Sequence, residues 1–185
     1  MQQNPVPKPD HIAGKKVVLR PATLADRKLI FEWLTCSDLT KQMMGPPDYP
    51  DSPVPTWEQF RKDYREYFFD GSDPGSGRCF IIEANSEPVG QINHDKIYPK
   101  DRSTTLDIWM KSSLYTGRGY GSDAIDTLCQ YLSEKFSCRK FILSPSARNK
   151  IAIRAYEKAG FVCRDEIPDP ATCDYPDNII MIRHL

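Results

Sequence analysis

The chain has 185 residues, enough for one compact domain and too few for two ordinary ones. Apolar residues make up 39% and charged residues 27%, a balance that excludes a disordered polymer and predicts a soluble globule. The 25 basic and 25 acidic side chains cancel, so there is no electrostatic reason to bind nucleic acid or an anionic membrane. No apolar run approaches the ~18 residues that span a bilayer. The stretch from Met1 to Asp10 lacks the basic start and apolar core of a secretory leader.

The first 14 residues hold three prolines and end at Gly14, which predicts an extended arm ahead of a domain over residues 15–185. Val17–Arg20 reads as a short strand closed by Pro21. Thr23 and Asp26 then form a capping box, and Leu24, Leu29, Ile30, Trp33 and Leu34 recur at helical spacing over 24–35. Five prolines in 45–55 exclude regular structure there. Thr56 and Gln59 form a second capping box, and Phe60, Tyr64, Tyr67 and Phe68 carry a helix to about residue 69. A turn-rich loop spans 70–77.

Three strands are then expected over 79–84, 89–94 and 104–110, as an antiparallel meander. A helix over 120–136 places Ala124, Ile125, Leu128, Leu132 and Phe136 on one face. A strand over 140–143 and a helix over 149–159 follow, the latter stopped by Gly160. Strands at 161–163 and 179–182 close the chain. The order β-α-α-β-β-β-α-β-α-β-β predicts a single domain of the α/β class, a mixed sheet with a helical crossover after the meander.

The six cysteines, Cys36, Cys79, Cys129, Cys138, Cys163 and Cys173, contain no Cys-x-x-Cys pair. They are expected as reduced thiols, several in the core, in a cytoplasmic setting. Neither a disulfide framework nor a metal site is expected.

The chemistry concentrates at Gly117-Arg-Gly-Tyr-Gly121, where a strand leads through a short connection into a helix. Glycines at alternate places let backbone N–H groups converge without Cβ obstruction, and the helix start adds unpaired donors and partial positive charge. This suits a phosphate or pyrophosphate; the alternative is a turn that only starts the helix. The dinucleotide fingerprint is excluded because the third glycine falls one place early, and the P-loop because Gly-Lys-Ser/Thr is absent.

Gly119-Tyr-Gly121 resembles the Gln/Arg-x-x-Gly-x-Gly/Ala signature of GNAT acetyltransferases, with Thr116 standing at the first place. Asn149-Lys-Ile-Ala-Ile-Arg-Ala-Tyr-Glu-Lys-Ala-Gly-Phe161 resembles the second signature of that family. The chain is similar in particular to aminoglycoside 6′-N-acetyltransferases, through Val18-Leu-Arg20, Glu32-Trp-Leu34, Glu87-Pro-Val-Gly90, Leu106-Asp107 and Ser144-Pro-Ser146.

The resemblance implies a GNAT-like acyl-CoA N-acyltransferase fold and acetyl-CoA as cosubstrate. It implies that backbone N–H groups of Arg118, Gly119, Tyr120, Gly121 and Ser122 hold the pyrophosphate, with the Arg118 side chain either adding charge or standing in solvent. It further implies that Ile108, Trp109 and Met110 pair with the pantetheine arm, the Met110 N–H polarising the thioester. Asn149 would contact the arm or cap its helix. Tyr156 would protonate the departing thiolate or pack in the core.

Acetyl transfer to an amine needs a base. Asp107, an acid between apolar strand residues, is the candidate, with a structural hydrogen bond as the alternative; His94 is the second candidate. Asp165, Glu166, Asp169, Asp174 and Asp177 form an acidic segment, either a rim that attracts a polycation or a solvated loop. The 45–55 loop, with Met43, Met44, Tyr49 and Trp57, would form the other wall or simply pack. The expected partner is a small-molecule amine such as an aminoglycoside, handled by a monomer or homodimer. A protein N-terminus, or a non-catalytic acyl-CoA-binding role, is the alternative.

Overall fold

A computed structural model describes residues 11–164 and 175–185. The N-terminal half builds β1 (Ile12–Ala13), β2 (Val18–Pro21), α1 (Arg27–Cys36), α2 (Thr40–Met43), α3 (Trp57–Asp63) and α4 (Tyr67–Asp70). The meander is β3 (Arg78–Ala84), β4 (Glu87–His94) and β5 (Ser103–Met110). Helix α5 (Tyr120–Phe136), β6 (Lys140–Leu143), α6 (Lys150–Lys158), β7 (Val162–Arg164) and β8 (Ile180–His184) complete it. The strands form one sheet in the order β1-β2-β3-β4-β5-β6-β8-β7, parallel only between β5 and β6.

Strand alternation divides the core between the two faces of this sheet. Leu19, Phe80, Ile82, Ile92 and Leu106 turn toward α5 and meet Ala124, Ile125, Leu128 and Leu132. These four α5 side chains are essentially without solvent contact, and each buried Leu or Ile contributes about 2 kcal/mol. Cys79, Ile81 and Trp109 turn to the other face, where Ile30, Trp33, Leu34, Phe60 and Phe68 cover them.

Three expectations need correction. Residues 12 and 13 belong to no arm, since they pair with Leu19 and Val18 as an edge strand. Leu24 and Leu29 are exposed at 49% and 38%, because residues 24–26 form a 3-10 turn that shifts the face α1 presents. Arg27 takes a buried place on that face with Ile30, Trp33 and Leu34. The helix expected to reach residue 69 stops at Asp63, because Tyr64 leaves the helical region at φ −91°, ψ 77°. A guanidinium nitrogen of Arg27 donates to the carbonyls of Arg61 and Tyr64 and so satisfies the acceptors this break exposes.

Both capping boxes form, at Thr23/Asp26 and Thr56/Gln59. Gly160, at φ 84°, follows α6 in the left-handed conformation that ends helices. Cys79, Cys129 and Cys138 are buried and Cys36 and Cys163 exposed, all as thiols; Cys173 lies outside the described residues. Burial pushes the Cys129 thiol up to about 12, which keeps it unreactive.

Candidate active site

Strands β5 and β6 pair only where Ser103–Thr105 face Lys140–Ile142. Beyond that, β5 continues along β4 to Met110, while β6 follows β8 as far as Leu143. The strands part, and a cleft of about 640 Å³ runs along the split.

The register decides which backbone groups face this cleft. The Thr105 carbonyl accepts from the Asp95 N–H, and the Lys111 N–H donates to the Val89 carbonyl. With unbroken pairing between them, odd-numbered residues of β5 turn their backbone groups to β4 and even-numbered ones turn theirs to the split. The Ile108 carbonyl and the Met110 backbone therefore offer a strand edge to an extended ligand, while the Ile108 N–H is taken by Asp107. Trp109, expected beside them, has its backbone committed to β4 and its indole in the core, edge-on to Tyr64 at 5.7 Å.

Asp107 lies half-buried in the cleft and is held at both oxygens. Its Oδ2 accepts from the Tyr64 hydroxyl at 2.9 Å, and its Oδ1 accepts from the Ile108 N–H at 2.8 Å. The same Tyr64 hydroxyl lies 3.2 Å from Asn93 Oδ1, and its ring stacks on Phe60 at 4.6 Å. Burial, and then the charge of Asp107, push the Tyr64 phenol well above its ordinary range, so it remains a donor. Tyr64 is the site residue that sequence reasoning missed. By spacing it reads as one more apolar helix position, and its contact with Asp107 arises only from the packing of α3 against β5.

Tyr156 reaches the cleft from α6 and is nearly buried. Burial raises its phenol first, and the Asp107 charge adds to this. Asn149 caps α6, its side-chain oxygen accepting from the Ala152 N–H at 3.1 Å, and also lines the cleft. His94 does not join them. It faces α5, with its ring 6.3 Å from Phe136 and its Nδ1 2.9 Å from the Asp95 carbonyl. Burial lowers it to about 4, so the second candidate base is a neutral core side chain.

Gly117 and Gly119 adopt φ of 71° and 83°, the left-handed region that glycine enters without strain. Helix α5 starts at Tyr120, and its first N–H groups have no acceptor within the helix. The Ser122 hydroxyl turns back to the Gly119 carbonyl at 3.1 Å. Asp123 accepts backbone N–H bonds from Lys15, Lys16 and Val17 at 3.2, 2.6 and 3.0 Å, which ties the β1–β2 hairpin to the helix start. The Lys16 ammonium donates to the Arg118 carbonyl at 3.1 Å, a cation at this turn that no sequence signal marked. The Arg118 guanidinium stands 6.0 Å from the Tyr115 ring.

A Cβ on Gly121 would meet only Ile108 Cδ1, at 3.8 Å, so the helix start lies beside the strand edge with room between. Donors and cations at a helix start, continuous with a vacant strand edge, fit a diphosphate carrying an amide-bearing arm.

The cleft lining is acidic. Asp51, Asp63, Asp95 and Asp107 line the cleft, and among its described lining residues there is no Lys, Arg or His. Met43, Met44 and Asp51 bring the proline-rich loop to the cleft as a wall. Trp57 instead packs on Phe31 at 5.3 Å, and the Tyr49 ring lies 4.3 Å from the Arg148 guanidinium. Of the acidic segment, Asp165, Glu166, Asp169 and Asp174 lie outside the described residues. Asp177 is paired with Arg148 at 3.1 Å and accepts from Ser146 at 2.8 Å.

A mixed sheet split between its one parallel pair, with a glycine-rich helix start beside the split, is the architecture of an acyl-CoA acyltransferase fold. Residues 16–162 match the family model described as the acetyltransferase (GNAT) domain, and the chain belongs to that family. Spermine/spermidine N(1)-acetyltransferase of Bacillus subtilis strain 168 is 29% identical over 86 residues, covering 46% of this chain and 53% of that protein. The chain thus spans about half the length of the curated relatives it matches.

Among solved structures, AAC(6′)-Ib in complex with paromomycin and acetyl-CoA superposes with a TM-score of 0.71 at 22% identity, over 92% of this chain and 94% of that one. RimL, a ribosomal-protein alpha-N-acetyltransferase in complex with coenzyme A, superposes with a TM-score of 0.69 at 18% identity, over 95% and 98%. Among the described residues, no helix is long and apolar enough to cross a membrane, and no group of three or more His, Cys, Asp or Glu is placed to hold a metal ion.

Proposed function

We propose that this protein transfers the acetyl group of acetyl-CoA to a primary amine of a small polycationic acceptor, of the aminoglycoside or polyamine kind. The observation that carries the acceptor class is the cleft lining, where Asp63, Asp95 and Asp107 stand with no described Lys, Arg or His among the lining residues, and Asp51 is paired with Arg148 from outside the lining. Such a lining attracts a polycation and gives a neutral or anionic acceptor nothing in return. The similarity to a spermine/spermidine acetyltransferase and to an aminoglycoside-bound structure supports the same class.

In this reading acetyl-CoA supplies an activated acyl carbon. Backbone N–H groups of residues 118–122 hold its diphosphate, and the strand edge at Ile108 and Met110 takes the arm. An ammonium group is no nucleophile, so Asp107 takes a proton from it, aligned for this by Tyr64 and the Ile108 N–H. The neutral nitrogen then bonds to the acyl carbon as the carbon–sulfur bond breaks. The Met110 N–H stabilises charge on the acyl oxygen, and Tyr156 gives its proton to the departing sulfur. The nitrogen sheds its second proton to solvent as the amide forms, Asp107 returns its own proton there, and Tyr156 regains one from solvent.

A thiol-release assay with acetyl-CoA against an aminoglycoside, spermine and N-terminal peptides tests this reading. Turnover of the polycations above the peptides is the expected result. Turnover confined to peptides would overturn the acceptor class.

A further inference from the structure

We propose that Arg148 is a positioning residue that latches the proline-rich loop over the acceptor cleft. The inference rests on the functional reading above only for its kinetic consequence.

Arg148 occupies the position before the α6 N-cap, in the connection that follows β6. Its guanidinium is bound on three sides. Nε donates to Asp177 Oδ2 at 3.1 Å, one terminal nitrogen donates to Asp51 Oδ1 at 3.0 Å, and the other donates to the Asp48 carbonyl at 3.0 Å. Its plane lies over the Tyr49 ring at 4.3 Å, and that ring in turn meets Tyr175 at 5.8 Å. One side chain thus joins the 45–55 loop, the connection after β6 and the segment leading into β8. Ser146 adds a second tie, donating to the Asp177 carboxylate while its own oxygen accepts from the Arg148 N–H at 3.2 Å.

Apart from Arg148, the loop is held by the buried Tyr49 and Ser52 and by a few internal bonds. Its internal bonds are Gly45 N–H to the Ser52 carbonyl, Tyr49 N–H to the Gly45 carbonyl and Ser52 N–H to the Tyr49 carbonyl. Prolines remove donors from the rest. Yet Asp51, Ser52 and Pro53 form part of the cleft wall, as do Ser144–Ser146. A planar guanidinium makes several directed bonds at once, so a network of this kind orders a loop where a single surface ion pair would not. The latch also neutralises Asp51 and Asp177, so a cationic acceptor meets a closed wall there.

Hydrogen exchange of the 45–55 segment in wild type and in Arg148→Gln, without any acceptor, tests the latch directly. The expected result is exchange faster by about fivefold or more in the variant, while amides of α5 and β4 are unchanged. A double variant, Asp51→Asn with Arg148→Gln, is expected to exchange no faster than Arg148→Gln alone. Calorimetric affinity for coenzyme A should be unchanged. With spermine as the probe acceptor, the KM should rise several-fold while kcat stays within about twofold.

Unchanged exchange in the 45–55 segment overturns the proposal, as does a kcat loss at constant KM. Should spermine not turn over in wild type, the acceptor reading fails while the exchange result still decides the latch.

Discussion

The Tyr64 hydroxyl and Asp107 Oδ2 meet at 2.9 Å across the junction between α3 and β5, joining a helix terminus to the middle of the split sheet. The other oxygen of Asp107 is held by the Ile108 N–H. The carboxylate is therefore oriented before any acceptor arrives, and Tyr64 belongs to the proposed chemistry as a positioning residue.

Asp107→Asn keeps the shape but cannot accept a proton. Acetyl transfer should fall by about 10²–10⁴-fold, with coenzyme A affinity unchanged in calorimetry. Tyr64→Phe should cost roughly tenfold in kcat, the scale of one hydrogen bond to a charged group, again without effect on coenzyme A affinity. Full turnover in Asp107→Asn would remove Asp107 from the mechanism.

Tyr156→Phe should lower kcat by about 10²-fold if its phenol protonates the leaving sulfur. Burial and the Asp107 charge both raise this phenol, so it stays protonated through pH 10. The wild-type pH–rate profile should therefore show no decline near pH 10 that disappears in Tyr156→Phe.

Two glycines separate folding from ligand binding. Gly119→Ala forces a left-handed φ of 83° on alanine and should destabilise the fold by about 1–2 kcal/mol, read as a lower Tm. At Gly121 a Cβ meets only an ordinary contact inside a helix, so Gly121→Ala should leave Tm unchanged or slightly higher. Its Cβ nevertheless projects toward the gap beside Ile108, and coenzyme A affinity should drop. Undiminished affinity would place the diphosphate elsewhere.

His94 makes stability pH-dependent. Its folded value of about 4 lies below the ordinary 6.5, so between those values the unfolded chain binds a proton that the folded chain does not. Stability should fall as pH drops from about 6.5 to 4, by an amount approaching about 3 kcal/mol. Urea unfolding of His94→Gln across this range should show a flatter dependence.

Much of the architecture was legible because it is local. The α5 helix and β6 were read with their observed limits, from 3.6-residue spacing and a short apolar run. Both capping boxes were visible because three residues contain the whole device. The α3–α4 break was not, because the apolar spacing of Phe60, Tyr64 and Phe68 is the same whether or not the helix continues. The carbonyls freed at the break are taken up by Arg27, 34 residues before Arg61 in sequence, a contact that no local pattern reveals.

By itself the sequence determined that this chain carries a glycine-rich helix start after a strand and an acid within β5, since both are properties of consecutive residues. Tertiary structure alone decided which backbone groups of β5 face the split, because that follows from its register against β4. It also paired Asp107 with Tyr64, turned His94 to the opposite face and set Arg148 across the cleft, because each contact joins segments that only folding brings within hydrogen-bonding range.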